Sequence, residues 1–111
     1  MKVVVLIQSH PRESHRACEG IRIALGLASG AHDVDVILVG PAPLLLTPEA
    51  EEWVDGEMAL KFLATLKEFI PAFWVEQETP IAFSETDYTV TRLSREDIAA
   101  RLAAADRFVA F

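Results

Sequence analysis

The sequence predicts an α/β fold: a three-layer α/β/α domain built on a mostly parallel five-stranded sheet. Residues 3–7 and 34–39 are short, largely β-branched or apolar runs with little alternation, the pattern of strands covered on both faces. Segments of helical spacing separate the runs, giving the order βαβαββαβ, which suits parallel strands joined by helical crossovers. A length of 111 residues fits one domain spanning residues 1–111.

The first strand covers residues 2–7. The first helix starts near Ser14, a suitable N-cap, with Glu13 and Glu19 near its positive end. Ala17, Ile21, Ala24, Leu25 and Ala28 recur at i, i+3/i+4 spacing and form its inward stripe. Gly20 and Gly26 interrupt this helix, each costing about 1 kcal/mol against Ala. Close packing against the sheet or a neighbouring chain is therefore expected at both, and Gly30 is the expected C-cap. The second strand is residues 33–39, ended by Gly40, Pro41 and Pro43. Leu44, Leu45 and Leu46 follow, readable as a plug over the sheet's end or as an interface.

From Thr47 the run Thr-Pro-Glu-Ala-Glu-Glu reads as an N-cap, a proline at N1 and an acidic first turn. Glu49, Glu51, Glu52, Asp55 and Glu57 occur there with no base among them, ordinarily a solvated face and occasionally a docking patch. The second helix is expected over residues 57–69, stopped by Pro71. The third strand is residues 72–75, residues 81–85 are a short helix or loop, and the fourth strand is residues 88–91. Ser94 with Asp97 three residues on forms a capping box for a third helix over residues 95–105. Residues 107–111 make the last strand.

Composition narrows the function. Seventeen acidic residues against ten basic ones leave a net charge of −7, which repels phosphate backbones and argues against direct nucleic-acid binding. No apolar run approaches the ~20 residues of a membrane span, and residues 3–7 are too short for a signal-peptide core, so a cytoplasmic protein is expected. Cys18 is the only cysteine, which excludes an internal disulfide and suits a reducing compartment.

The loop after the first strand holds the main candidate site. Ser9, His10, Arg12, Ser14, His15 and Arg16 gather near a helix N-terminus, where amides and the helix dipole favour anions. No glycine precedes Gly20, so the loop is not a nucleotide fingerprint, and its ordinary reading is an exposed polar connection. Cys18 shares the inward stripe with Ile21 and Leu25 and reads first as a small buried hydrophobe. Its alternative is a thiolate stabilised by the helix N-terminus and by Arg16 or His15. His15-x2-Cys18 with His10 nearby lacks a fourth metal ligand, so no metal is expected. Glu76 and Glu78 end the third strand and point together. If that strand neighbours the first, they reach the loop as an acid and base pair or as partners of Arg12 and Arg16.

The order of these features resembles the DsrE/DsrF/DsrH family, closest to its DsrF/TusC branch. Pro11-x-x-Ser14 followed by Glu19-Gly20 is similar to that branch's Pro-x-x-Thr followed by Glu-Gly. Residues 34–39 resemble its second strand, residues 62–69 its Phe-Lys-rich helix, and Trp74-Val75 a Trp-Val in its third strand. Residues 97–102 and then 106–111 resemble a helix running into a terminal aspartate–hydrophobic–Phe strand. The resemblance implies a DsrE-like α/β fold, flavodoxin-like in outline, oligomeric assembly and a role in cytoplasmic sulfur trafficking. Active members carry a persulfide on a cysteine just after the third strand. Here Glu76 follows Trp74-Val75, and a carboxylate cannot hold sulfane sulfur.

The expected role is accordingly a non-catalytic protein of a sulfur relay, of the sulfur-oxidation or tRNA-thiolation type, with no cofactor. It is expected as a homo-oligomer (dimer, trimer or hexamer) or as a hetero-oligomer with sulfur-relay proteins, since residues 44–46 and an exposed Trp53 suit burial by a neighbour. Two alternatives stand beside it: a small-anion or nucleotide-binding module using residues 9–16, and a Cys18-based sulfurtransferase.

Overall fold

The computed structural model describes residues 1–47, 56–83 and 88–111. Trp53, the carboxylates Glu49, Glu51, Glu52 and Asp55, and the end of the 81–85 segment lie outside the described residues. The elements follow the expected order: β1 (Lys2–Ile7), α1 (Arg16–Ser29), β2 (Asp33–Leu38), a 3-10 segment (Ala42–Leu46), α2 (Gly56–Leu66), β3 (Phe73–Glu76), β4 (Val90–Leu93), α3 (Arg95–Ala104) and β5 (Arg107–Ala110). The sheet runs β4-β3-β2-β1-β5, and every pairing is parallel.

Side chains alternate across the sheet and sort the core into two layers. Val5, Ile7, Val36, Leu38, Phe73 and Val75 meet the buried residues of α1 and α2 on one face. On the other face Val4 and Ile37 meet Leu93 at the end of β4 and Ile98 of α3, flanked by half-buried Leu6, Val39, Trp74 and Leu102. One helix thus covers the second face where two cover the first. The strand boundaries moved little. β4 lies two residues beyond the expected start, and α2 ends at Leu66 because the amides of residues 68 and 69 tighten into bonds three residues back, Glu68 N–H to Thr65 O and Phe69 N–H to Leu66 O.

The two glycines of α1 behave differently. A Cβ at Gly20 would stand 3.0 Å from Ile7 Cγ1 and 3.2 Å from Phe111 Cβ, so close packing against the sheet explains it. At Gly26 nothing lies within 4 Å of such a Cβ, and the packing expected there is absent among the described residues. Gly30 sits at the C-cap but with φ −84°; the left-handed residue is Ala31, at φ 69°. Ala31 N–H bonds Ala28 O and His32 N–H bonds Leu27 O, both at 3.2 Å, which is a Schellman ending with alanine in the glycine position.

The leucine triplet resolves toward the plug. Leu45 and Leu46 are 3% and 1% exposed, packed into the core beneath α1 and α2's face of the sheet. Leu44 is half-buried. At α3 the capping box forms as expected, with Asp97 N–H donating to Ser94 Oγ at 3.1 Å.

A buried acid lies on the α3 face. Asp35, 7% exposed, accepts from Lys2 Nζ at 3.1 Å on one oxygen and from Arg101 Nη1 at 3.2 Å on the other. The Arg101 guanidinium also lies over the Trp74 ring, 4.1 Å from its centroid, a cation–π contact. Burial lowers the Lys2 pKa, but hydrogen bonds to Asp35 and Asp33 and their charges outweigh it, and the net shift is upward. Among the described residues no helix is long and apolar enough to cross a membrane.

Candidate functional site

β1 sends the chain through α1 to β2 on one side, while β5 pairs on its other side. The loop that leaves β1 therefore opens beside the C-terminal end of β5, on the carboxyl side of the strands, where open parallel sheets bind ligands. The loop of residues 8–15 stands there. Its start is tied to the last strand: Gln8 N–H and Ser9 N–H both donate to Phe111 O, at 2.7 and 3.2 Å.

The loop then folds around His10. Glu13 N–H and Ser14 N–H donate to His10 O at 3.1 Å, and Arg12 N–H donates to His10 Nδ1 at 3.1 Å. The helix begins one residue later than expected, with His15 at the N-cap and no side-chain cap bond from it. Ser14 still satisfies an orphan amide, because its Oγ accepts from Arg16 N–H at 3.1 Å. Arg16 reaches sideways, its Nη2 donating to Ala110 O at 3.3 Å.

Pro11, Arg12, Glu13, Ser14 and His15 line a shallow depression of about 210 Å³. Arg12 and His15 are exposed there, which suits an anion. Opposing them, Glu13 puts a carboxylate into the same lining, and the amides of Arg12 and Arg16 are already spent within the loop. The structure thus brings Arg12, Ser14 and His15 together and sends Arg16 to the sheet edge.

Glu76 and Glu78 lie elsewhere. β2 stands between β1 and β3, so the adjacency that would have delivered them to the loop does not occur. Among the described residues neither pairs with Arg12 or Arg16. Glu76 Oε1 accepts from Gly40 N–H at 2.8 Å, at the turn where Gly40 takes φ 58° to leave β2. β3 ends at Glu76, and Thr79 N–H returns to Glu76 O at 3.1 Å. Glu78 is therefore in a turn, exposed, and no longer shares a strand face with Glu76.

Two groups escaped the sequence reading. Arg92 of β4 donates to Thr79 O at 2.6 Å, Ile81 O at 2.7 Å and Gln77 O at 3.3 Å, and lies over the Phe83 ring at 5.6 Å. It gathers three carbonyls of the loop after β3, beside the Gln77 N–H to Leu93 O bond at 2.8 Å. Nothing in the local pattern Val-Thr-Arg-Leu signals this. Asp35 had a signal: a lone acid between Val34 and Val36 in a buried run requires a cationic partner.

Cys18 is half-buried in α1 and packs against the α1–α2 side of the core. Its surroundings lie between the two sequence readings. The neighbouring Arg22 guanidinium has its pKa raised, first by the hydrogen bond it donates to Glu19, then by that carboxylate's charge, and also by Cys18. Among the described residues no three His, Cys, Asp or Glu side chains are placed to hold a metal ion.

No protein-family model and no curated protein sequence matches the chain. Its fold is nevertheless similar to that in the crystal structure of the ychN protein from E. coli, with a TM-score of 0.74 over 100% of this chain and 99% of that one, at 16% identity. The likeness is one of architecture, a DsrE-like α/β fold with an all-parallel five-stranded sheet.

Proposed function

We propose, from the premise of that shared architecture, that the chain is a non-catalytic, oligomeric protein of a cytoplasmic sulfur relay, akin to the DsrF/TusC branch. The observation that carries this is Glu76. The place where the resemblance puts a sulfur-carrying thiol holds a carboxylate, and that carboxylate is engaged with the Gly40 amide at 2.8 Å. It serves the turn after β2. A chain built this way positions partners and leaves sulfur transfer to them.

Incubation with a cysteine desulfurase and a sulfur donor, followed by intact mass measurement, tests the reading. No stable adduct is expected. A gain of about 32 Da that disappears in Cys18→Ser would overturn it and favour the Cys18 sulfurtransferase instead.

A second reading draws support from the position of residues 9–16 beside the sheet's carboxyl end: a small-anion or nucleotide-binding module using Arg12 and His15, with Arg16 required to leave Ala110 O to join them. Thermal-shift titration with phosphate, sulfate and nucleotides decides it. A flat response disposes of the module.

A further inference from the structure

We infer that β5 is the surface through which two copies of this chain associate, pairing antiparallel with its own counterpart across a two-fold axis. This rests on the oligomeric reading above and assigns it a surface. β5 ends the sheet and pairs with β1 alone. All four of its residues are exposed, with Phe108 at 56% and Val109 at 39%. Unpaired edge strands are ordinarily shielded by proline, bulges or several charges. β5 carries a single charge, Arg107, and no proline.

The main chain says which groups are on offer. Phe111 N–H donates to Leu6 O at 2.8 Å. Alternate residues of a parallel strand turn to the same neighbour, so Arg107, Val109 and Phe111 face β1. Phe108 and Ala110 turn their N–H and C=O outward. Their side chains lie on the α3 face, in register with Val4 and Leu6, on the side that, among the described residues, α3 covers.

Few self-pairing registers are then acceptable. Centring the axis on Arg107 sets two guanidinium groups opposite each other, which is unfavourable. Centring it on Val109 places Phe108 opposite the partner's Ala110, twice, large against small. Both outward residues of each copy then exchange main-chain hydrogen bonds, and Val109 meets Val109 of the other copy on the opposite face. Pairing β5 instead with the β4 edge of another copy is head-to-tail, and closes only where the rotation completes a ring. It also brings Arg107 toward a strand carrying Arg92. The self-paired arrangement is closed by its two-fold axis, and it suits size and charge together.

Arg16 guards this edge. Its 3.3 Å bond to Ala110 O occupies one of the four outward groups and must be released on pairing. Removing it should therefore strengthen association.

Light scattering and sedimentation equilibrium at micromolar concentration test the inference. The expected mass is twice 12.2 kDa. Phe108→Lys and, separately, Ala110→Pro should halve it with far-UV circular dichroism unchanged; Ala110 N–H makes no bond to β1, so the proline spares the native ladder. Arg16→Ala should lower the dimer dissociation constant severalfold. A monomeric wild type overturns both the surface and the oligomeric reading. An assembly that persists in folded Phe108→Lys and Ala110→Pro, or that contains three copies, overturns the surface and leaves the oligomeric reading standing.

Discussion

Replacing either internal glycine of α1 by alanine makes the same chemical change on one helix, with opposite expected results. At Gly26 the added methyl meets nothing within 4 Å, so only backbone propensity changes, and Gly26→Ala should stabilise by about 1 kcal/mol. Gly20→Ala gains the same propensity but drives its Cβ to 3.0 and 3.1 Å from Ile7 Cγ1 and Cδ1 and to 3.2 Å from Phe111 Cβ. The Ile7 methyl end can swing aside. Phe111 cannot follow as easily, since its N–H and C=O are bonded to Leu6 and Gln8 at 2.8 and 2.7 Å. Overpacking of this kind costs about 1–3 kcal/mol, leaving a net loss of about 1 kcal/mol and a gap of about 2 kcal/mol between the variants. Urea unfolding measures it: with a slope of about 1–3 kcal/mol per M, the two midpoints should move in opposite directions. Equal stability of the two variants would refute the claim that α1 touches the sheet at Gly20.

Ala31→Gly should stabilise by about 0.5–1 kcal/mol, relief of a left-handed alanine of ~1–2 kcal/mol less the added freedom of the unfolded chain; thermal unfolding reads it, and a lower Tm would contradict the φ of 69°. Asp35→Asn should cost about 2 kcal/mol by urea titration, the low side for a charge-assisted pair, because Lys2 and Arg101 are each about a third exposed and regain water; an unchanged midpoint would deny the pairing. The raised Lys2 pKa gives a stabilising contribution that is complete below the ordinary value of 10.5 and fades as pH climbs through the higher folded value. Stability should therefore fall above pH 10.5 more steeply in wild type than in Lys2→Met, and parallel curves would show that the ammonium has no such role.

Much of the fold was legible because local and global preferences agree. The unalternated runs of β1 and β2, the small-residue stripe of α1 and the Ser94 cap each point to one structure, and each formed. Harder to read was anything set by distant residues. The site inference about Glu76 and Glu78 depended on which strands are neighbours, and strand order is decided by how crossovers pack. Nothing near Glu76 in the chain announces Gly40 as its partner. Leu44, Leu45 and Leu46 could not declare from composition whether α1 and the sheet would cover them. Within the loop the residue types were right for an anion, but the spending of amides on His10 and Ser14 is a matter of conformation.

The hydrogen bond between Lys2 N–H and Asp106 spans 104 positions, and β1 waits that long for β5. During synthesis, at about 5–20 residues per second, this first strand must stay open on one flank for several seconds after it emerges. Its β-branched residues are then available to the wrong neighbour, and pairings of such long separation are slow to close. Yield in the cell should accordingly depend on how promptly the distal segment arrives, and a pause in translation between the two strands should cost more soluble protein than an equal pause before the first of them is made.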